Sequence, residues 1–301
     1  METIMVKYIG KRILQIIPTL LVLSFILFFS IWFMQYKSIS FGGEDSTFKQ
    51  YLDYMGNVLR GDFGIHYRYG RPINGELMRR YPLTMLLAIG GTLTSAIVGI
   101  FLGVISAVNQ NKLIDNIIMF FSLAVTSIPL FFLALIFMVI FSVFLGVLPS
   151  RAMGSWQSFI MPVITLGLPA AGFVARTTRS AMLEVINQDY IRASQARGIA
   201  DKTIIYYHAL KNTFIPIITV IGVRFGELLA GTVLVENAFS IPGLGRFIIE
   251  AIDYRQGNAI LGCVLVLAAT FMIINLLIDI LYALIDPRVK YGKKESSTSG
   301  K

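Results

Sequence analysis

The sequence predicts an all-α, polytopic membrane protein with six transmembrane helices, N-in and C-in, and a helical loop projecting into the cytoplasm. Three observations predict it. Of 301 residues, 55% are hydrophobic and 14% charged, whereas a soluble domain carries about a quarter charged residues. Uncharged runs long enough to cross the hydrocarbon core, about 20 residues each, recur along the chain. Lys and Arg are distributed unevenly between alternate connecting segments. Together with a mean hydropathy of +0.72, these exclude a disordered chain, a nucleic-acid binder and a typical cytosolic enzyme. The net charge of +9 is read as inner-loop charge, with the lipid bilayer as partner and no nucleic acid.

Residues 1–36 hold the first span. Lys7, Lys11 and Arg12 precede the 24 uncharged residues Ile13–Tyr36. That run exceeds a signal-peptide core of about 7–15 residues, and no small-residue cleavage site follows, so the span is read as uncleaved. Residues 37–80 form an outer segment whose aromatics (Phe48, Tyr51, Tyr54, Phe63, Tyr67, Tyr69) suit the membrane interface. The second span is Tyr81–Asn111, with Gly90, Gly91, Gly99 and Gly103 as close-packing positions. Asn116–Ser150 is too short for two crossings, and reads as one helix bent near Pro129 and ending around Gly146-Val147-Leu148-Pro149. Ala152–Ala175 is the fourth span. Asn212–Val235 is the fifth, if Arg224 and Glu227 are tolerated within it, and Gln256–Ile278 the sixth. Residues 236–257 form a second outer segment. The tail 292–301, ending ESSTSGK, has a disordered composition.

With the N-terminus inside, the inner segments carry 15 Lys and Arg against 10 outside, and eight outer acids reduce the outer net charge to +2. Cys263 is the single cysteine, and His66 and His208 lie far apart, so neither a disulfide nor a zinc cluster is expected. No catalytic residue and no metal ligand is assigned.

The largest inner loop, 176–211, carries helically spaced apolar residues at Ala181, Met182, Val185 and Ile186, and again at Ile204, Ile205, Tyr207 and Leu210. Arg197-Gly198-Ile199-Ala200-Asp201 interrupts them. Gly favours a helix C-terminus and Asp an N-cap, so the loop reads as helix, tight turn, helix. Its exposed end carries Arg192, Ala193, Ser194, Ala196 and Arg197.

The segment Asp189-Tyr190-Ile191-Arg192-Ala193-Ser194-Gln195-Ala196-Arg197-Gly198 resembles the "EAA" loop of bacterial ABC-importer membrane subunits. The closest resemblance is to the first-permease branch of the oligopeptide/dipeptide/nickel permease family. Arg192, Ala193, Ser194 and Gly198 match the Glu-Ala-Ala-x-x-x-Gly positions, with Arg192 replacing Glu and Lys211 standing where Pro is usual, within His208-Ala209-Leu210-Lys211-Asn212. Both departures are typical of the peptide/nickel branch. Arg60-Gly61-Asp62-Phe63-Gly64, Phe239-Ser240-Ile241-Pro242-Gly243-Leu244-Gly245, Asp286-Pro287-Arg288, and Lys11-Arg12-Ile13-Leu14 followed by Ile17-Pro18-Thr19 match further, in the right order. The outer segment between the first two spans is shorter than this branch commonly carries.

The resemblance implies that 81–291 is an importer transmembrane domain whose ATPase-coupling loop includes Tyr190, Arg192, Ala193, Ser194, Ala196, Arg197, Gly198 and His208. The expected partners are a second homologous permease, two cytoplasmic ATPase subunits and an extracytoplasmic substrate-binding protein, in a bacterial or archaeal cytoplasmic membrane. ATP and Mg are expected in the ATPases, because this chain has no G-x-x-x-x-G-K-[ST] motif and binds no cofactor itself. The implied function is import of oligopeptides or dipeptides, with nickel or metal-chelate import as the alternative. A stand-alone secondary transporter is the remote alternative; it needs ionisable groups in both halves, yet Arg224, Glu227 and Asp279 all lie in the second.

Arg224 and Glu227 share a helical face, as an ion pair or as contacts along the pathway. Asp279 is expected to snorkel or to pair with the other permease. Pro242, Gly243 and Gly245 form an outer turn that tucks a helix against the pore mouth.

Overall fold

In hydrocarbon every backbone N–H and C=O must be bonded within its own segment, which leaves helices as the available structure for an apolar chain of this kind. A computed structural model describes residues 2–34, 46–66, 70–151 and 154–285. Among them the only sheet is a two-stranded antiparallel ribbon, β1 Ile65–His66 against β2 Arg71–Pro72, with Ile65 opposite Pro72. Asp286-Pro287-Arg288 and the tail 292–301 lie outside the described residues.

Helix α1 runs Glu2–Phe33 and α2 runs Thr47–Leu59. Ser46 caps α2 by accepting from the Lys49 N–H, and one face of α2 buries Tyr51 and Tyr54 against Phe28. Burial pushes the Tyr54 hydroxyl above its ordinary value, which keeps it neutral. Helix α3 spans Ile73–Val108 and so begins eight residues before Tyr81, where the apolar run starts. Glu76 explains the earlier start. It sits in the first turn, where a carboxylate suits the helix dipole, and it pairs with Arg79 and Arg80 three and four residues on.

Helices α4 (Leu113–Ser127) and α5 (Leu130–Phe137, continuing as a π-helix over Met138–Phe144) occupy the predicted third span. The bend near Pro129 is present, but at 106° it is far sharper than a proline kink in one long helix. Pro129 removes a backbone donor and holds Ile128 extended. The Thr126 and Ser127 hydroxyls both donate to the Leu123 carbonyl, so α4 ends cleanly there. Among the described residues, five helices are long and apolar enough to cross a membrane, and six if the bent pair is one span.

Helix α6 spans Ile160–Ile186, three turns beyond the predicted end at Ala175, and is followed by α7 Asp189–Ala196 and α8 Asp201–Thr203. A π-helix (Ile204–Ala209) and α9 (Leu210–Asn212) lead into α10 Phe214–Ala238, then α11 Leu244–Asp253 and α12 Gly257–Ile285.

The bundle is built on α3 against α6. Gly91, Ser95, Gly99, Gly103 and Ala107 recur every fourth residue on α3 and face Gly167, Ala171 and Ala175 on α6. A Cβ at Gly99 would lie 2.5 Å from that of Val174, and one at Gly103 2.5 Å from that of Thr178. Small residues let the backbones approach, and the contact is maintained by van der Waals packing, since lipid offers no hydrophobic incentive to associate. Apolar clusters lie at opposite ends of α3. One, at the α11 end, contains Phe28, Tyr54 and Phe247; another, at the α7 end, contains Val104, Met182 and Ile191.

Candidate functional site

Helix α7 is short and mostly polar, so tertiary contact must hold it. Its one buried residue is Ile191, fully enclosed among Val104, Met182, Ile204 and Ala209. The rest of the helix faces outward, with Arg192, Ala193, Ala196, Arg197 and Gly198 exposed and Ser194 half-buried. The turn after it is a Schellman motif. Gly198 has φ +75°, its N–H donates to the Gln195 carbonyl at 2.9 Å, and the Ile199 N–H donates to Ser194 at 3.3 Å. The predicted helix-turn-helix is present in outline with two corrections. Residues 176–186 are the end of α6, and the loop proper starts with the break at Asn187-Gln188. Ala200, not Asp201, occupies the N-cap position, and Asp201 is the first helical residue, where its charge suits the helix N-terminus.

Tyr190 is exposed, and its hydroxyl accepts from Asn212 Nδ2 at 2.9 Å, tying α7 to α9. His208 lies in the π-helix, half-buried, with its ring edge-on to Tyr207 and its carbonyl accepting from the same Asn212 amide. π-helical turns often mark functional positions.

An ion pair absent from the sequence reading fastens this end. Arg179 of α6 reaches Asp115 of α4 through two parallel bonds of 2.7 Å. Asp115, buried, also accepts from the Ser106 hydroxyl of α3 and from the Asn111 N–H at 2.9 Å. Bidentate geometry fixes orientation as well as separation, so α3, α4 and α6 meet rigidly just where α6 leads into α7.

Halfway along α10, Arg224 pairs with Glu227 one turn on. The Arg224 guanidinium lies 3.3 Å from the ring centre of Phe173 on α6, and Arg176 approaches the same ring at 4.6 Å while donating to the Ser122 carbonyl. Phe173, Arg224 and Glu227 open onto a cleft of about 160 Å³ bounded by Leu130, Leu166 and Gly231. Asp279 is elsewhere: it pairs with Arg12 of α1 at 3.2 Å, joining the first and last helices.

The turn at Pro242, Gly243 and Gly245 starts α11 and wraps the buried carboxylate of Glu236. A side chain at Gly243 would collide with that carboxylate, and a Cβ at Gly245 would lie 2.5 Å from Val233 Cα. Glu236 accepts from the Gly245 and Arg246 N–H groups and from Thr84 Oγ1, the last at 2.6 Å. Thr84 in turn accepts from the Leu244 N–H at 2.8 Å. The first donors of α11, which have no partners within the helix, therefore end on two residues of α3 and α10. Beside them Arg80 contacts Glu76, Glu250 and the ring of Phe247.

The sequence reading missed Thr84, Glu236, Asp115 and Arg179 as site residues. Glu236 left a usable signal, an acid closing an apolar span six residues before the proline of a Pro-Gly-x-Gly turn. Asp115 and Arg179 left none, because 64 residues separate them.

A family model described as a binding-protein-dependent transport system inner membrane component matches residues 99–291. The glutathione transport system permease protein GsiC of Escherichia coli K12 is 32% identical over 305 aligned residues, covering 95% of this chain and 100% of that protein. The protein of the same name from Salmonella typhimurium LT2 is 34% identical over the same extent. Among solved structures, an inward-facing form of the MetNI methionine ABC transporter matches with a TM-score of 0.56 at 19% identity, over 70% of this chain and 96% of the other. That last likeness is one of fold.

Proposed function

Starting from the fact that this chain belongs to the family of binding-protein-dependent transport system inner membrane components, we propose that the solute it conducts is a short peptide. The chain is a multi-pass membrane permease subunit of an ABC importer, a transport component that works with ATPase and substrate-binding partners. The observation that carries the peptide assignment is the full-length match to permeases named for transport of glutathione, itself a small peptide. Arg192 and Lys211 of the α7 loop, typical of the peptide/nickel branch, agree with membership of that branch and are common to both solutes.

In this reading α7 lies on the cytoplasmic side and is the peg that the ATPases grip, with a second homologous permease completing the pathway and two ATPases hydrolysing ATP with Mg. Small residues at 193 and 196 admit close approach, and Arg192 and Arg197 offer donors to acidic partners. Ile191 packs the peg against α6 and the π-helix, and the Asn212–Tyr190 bond ties it to α9, which leads into α10. The Asp115–Arg179 clasp extends the rigid body to α3 and α4. Displacement of α7 thus rocks the helices that carry Phe173, Arg224 and Glu227, as alternating access needs. Uptake of labelled tripeptide and labelled nickel by cells lacking this gene tests the assignment. Loss of peptide uptake alone supports it; loss of nickel uptake with peptide uptake intact overturns it.

A further inference from the structure

Arg224 and Glu227 are residues 11 and 14 of the 25 in α10, in the middle of a span, where ionised groups are costly and mark a pathway or a partner. A pair serving only to neutralise itself would be enclosed by its neighbours. Instead the Glu227 side chain is 58% exposed, and Arg224 Nε is buried without an acceptor among the described residues. Arg176 shares the Phe173 ring, so two cations lie beside one carboxylate and, among the described residues, the cluster lacks one anion. The cleft beside it has apolar walls. It is kept open by Gly231, where a Cβ would lie 3.1 Å from Leu130 and 3.2 Å from Leu166. A missing anion, an exposed carboxylate and an apolar wall together complement a zwitterion.

We infer that this cleft is a recognition site within the pathway for the free termini of a short peptide: Arg224, in the field of Arg176, takes the α-carboxylate, Glu227 takes the α-ammonium, and a side chain rests against Leu130 and Leu166. The inference rests on the peptide reading above and adds that the permease itself reads the termini.

The test uses the purified complex of this chain with its permease and ATPase partners, without the binding protein. Binding of labelled trialanine, its C-terminal amide and its N-acetyl form is measured by equilibrium dialysis. Wild type is expected to prefer free trialanine at least tenfold over either blocked form. Arg224→Gln is expected to lose the preference over the amide, Glu227→Gln the preference over the acetyl form, and Gly231→Leu all binding. Arg224→Lys is expected to keep part of the preference, and co-purification of the ATPases verifies folding. Equal binding of free and blocked peptides, unchanged preference in the variants, or loss of the partner permease from Arg224→Gln overturns the site. So does peptide uptake by vesicles carrying the complete wild-type importer when the complex itself binds no trialanine. If those complete vesicles take up no peptide at all, the proposed function falls first, and the site with it.

Discussion

At the α11 end, the N–H groups of Leu244, Gly245 and Arg246 end on Thr84 and Glu236, so a helix start is completed by residues of two other helices. At the α7 end, the helix beginning at Asp189 has no side-chain cap. Its Arg192 and Arg197 side chains are exposed and make no hydrogen bond among the described residues. Both helices are short, of 10 and 8 residues, and both follow a break after a long span. They differ in where their partners lie. The α11 end is closed within the subunit, with Arg80 shared between Glu76 and Glu250 and Phe247 and Ala251 fully buried. The α7 end leaves its polar face open, as the proposed contact with the ATPases requires. Damage at α11 should therefore appear as lost stability of this chain, and damage at α7 as lost assembly.

The largest effect is expected at Glu236. Glu236→Ala removes a buried acceptor from two N–H groups and a hydroxyl, and each buried donor left unsatisfied costs about 1–3 kcal/mol. A loss of about 3 kcal/mol or more is expected, seen as a lower melting temperature in detergent and less protein in the membrane. Glu236→Gln, which keeps an acceptor, should fall between. A Glu236→Ala protein that melts with the wild type would erase the contrast between the two ends.

Next comes Ile191→Ala, the one substitution at α7 that should register as instability. Truncating a fully buried Ile costs about 2–4 kcal/mol. The cost should stay local, because Ile191 is the only residue of α7 that is buried. Hydrogen exchange across 187–212 should accelerate while the amides of α11 keep their protection. Faster exchange at both ends would show the bundle to be one cooperative unit.

How much of this was legible in the sequence follows from the same contrast. The helices, the Pro129 bend, the turn at Gly198 and the exposed basic face of α7 rest on local signals, so apolar runs, a proline and a glycine were enough to place them. The small-residue seam was half legible: Gly99 and Gly103 were visible, but Gly167, Ala171 and Ala175 become their partners only when α3 meets α6. The early start of α3 was hidden because Arg79 and Arg80 looked like loop charge, whereas Glu76 neutralises them within the helix. Thr84–Glu236 and Asp115–Arg179 join residues 152 and 64 positions apart, and no spacing rule reaches that far. Arg224 and Glu227 were legible as a pair, but their stacking on Phe173 was not.

A smaller effect is expected at Gly198. An L side chain at φ +75° costs about 1–2 kcal/mol, and no neighbour lies within 4 Å to crowd it. Gly198→Ala should therefore insert normally and strain only the Schellman turn, which sets the angle at which α7 is presented. Retention of the ATPases during purification should fall for Gly198→Ala and recover for Gly198→Asn, since Asn adopts this conformation more readily. Equal retention in both would separate the turn from assembly.

The smallest effect on the subunit, and the sharpest separation of the two ends, is expected from replacing Arg192 and Arg197 together by Ala. Both side chains are exposed and unbonded within the described chain, and surface changes of this kind shift stability by no more than about 0.5 kcal/mol. The melting temperature should therefore match the wild type. Assembly is another matter, because a guanidinium that meets a carboxylate at an interface gives up water only in the complex. The double variant should lose the ATPases at a salt concentration that the wild-type complex withstands, since what remains of the contact would be weaker but not absent. Electrostatic pairs at a partly open rim weaken as salt shortens the screening length, to about 3 Å at 1 M. Wild type should also dissociate more readily as salt rises, whereas the double variant, having lost the charged contacts, should respond less steeply. Identical salt profiles would mean that α7 is gripped by shape alone, through Ala193, Ala196 and Tyr190, and that the exposed arginines serve the solvent.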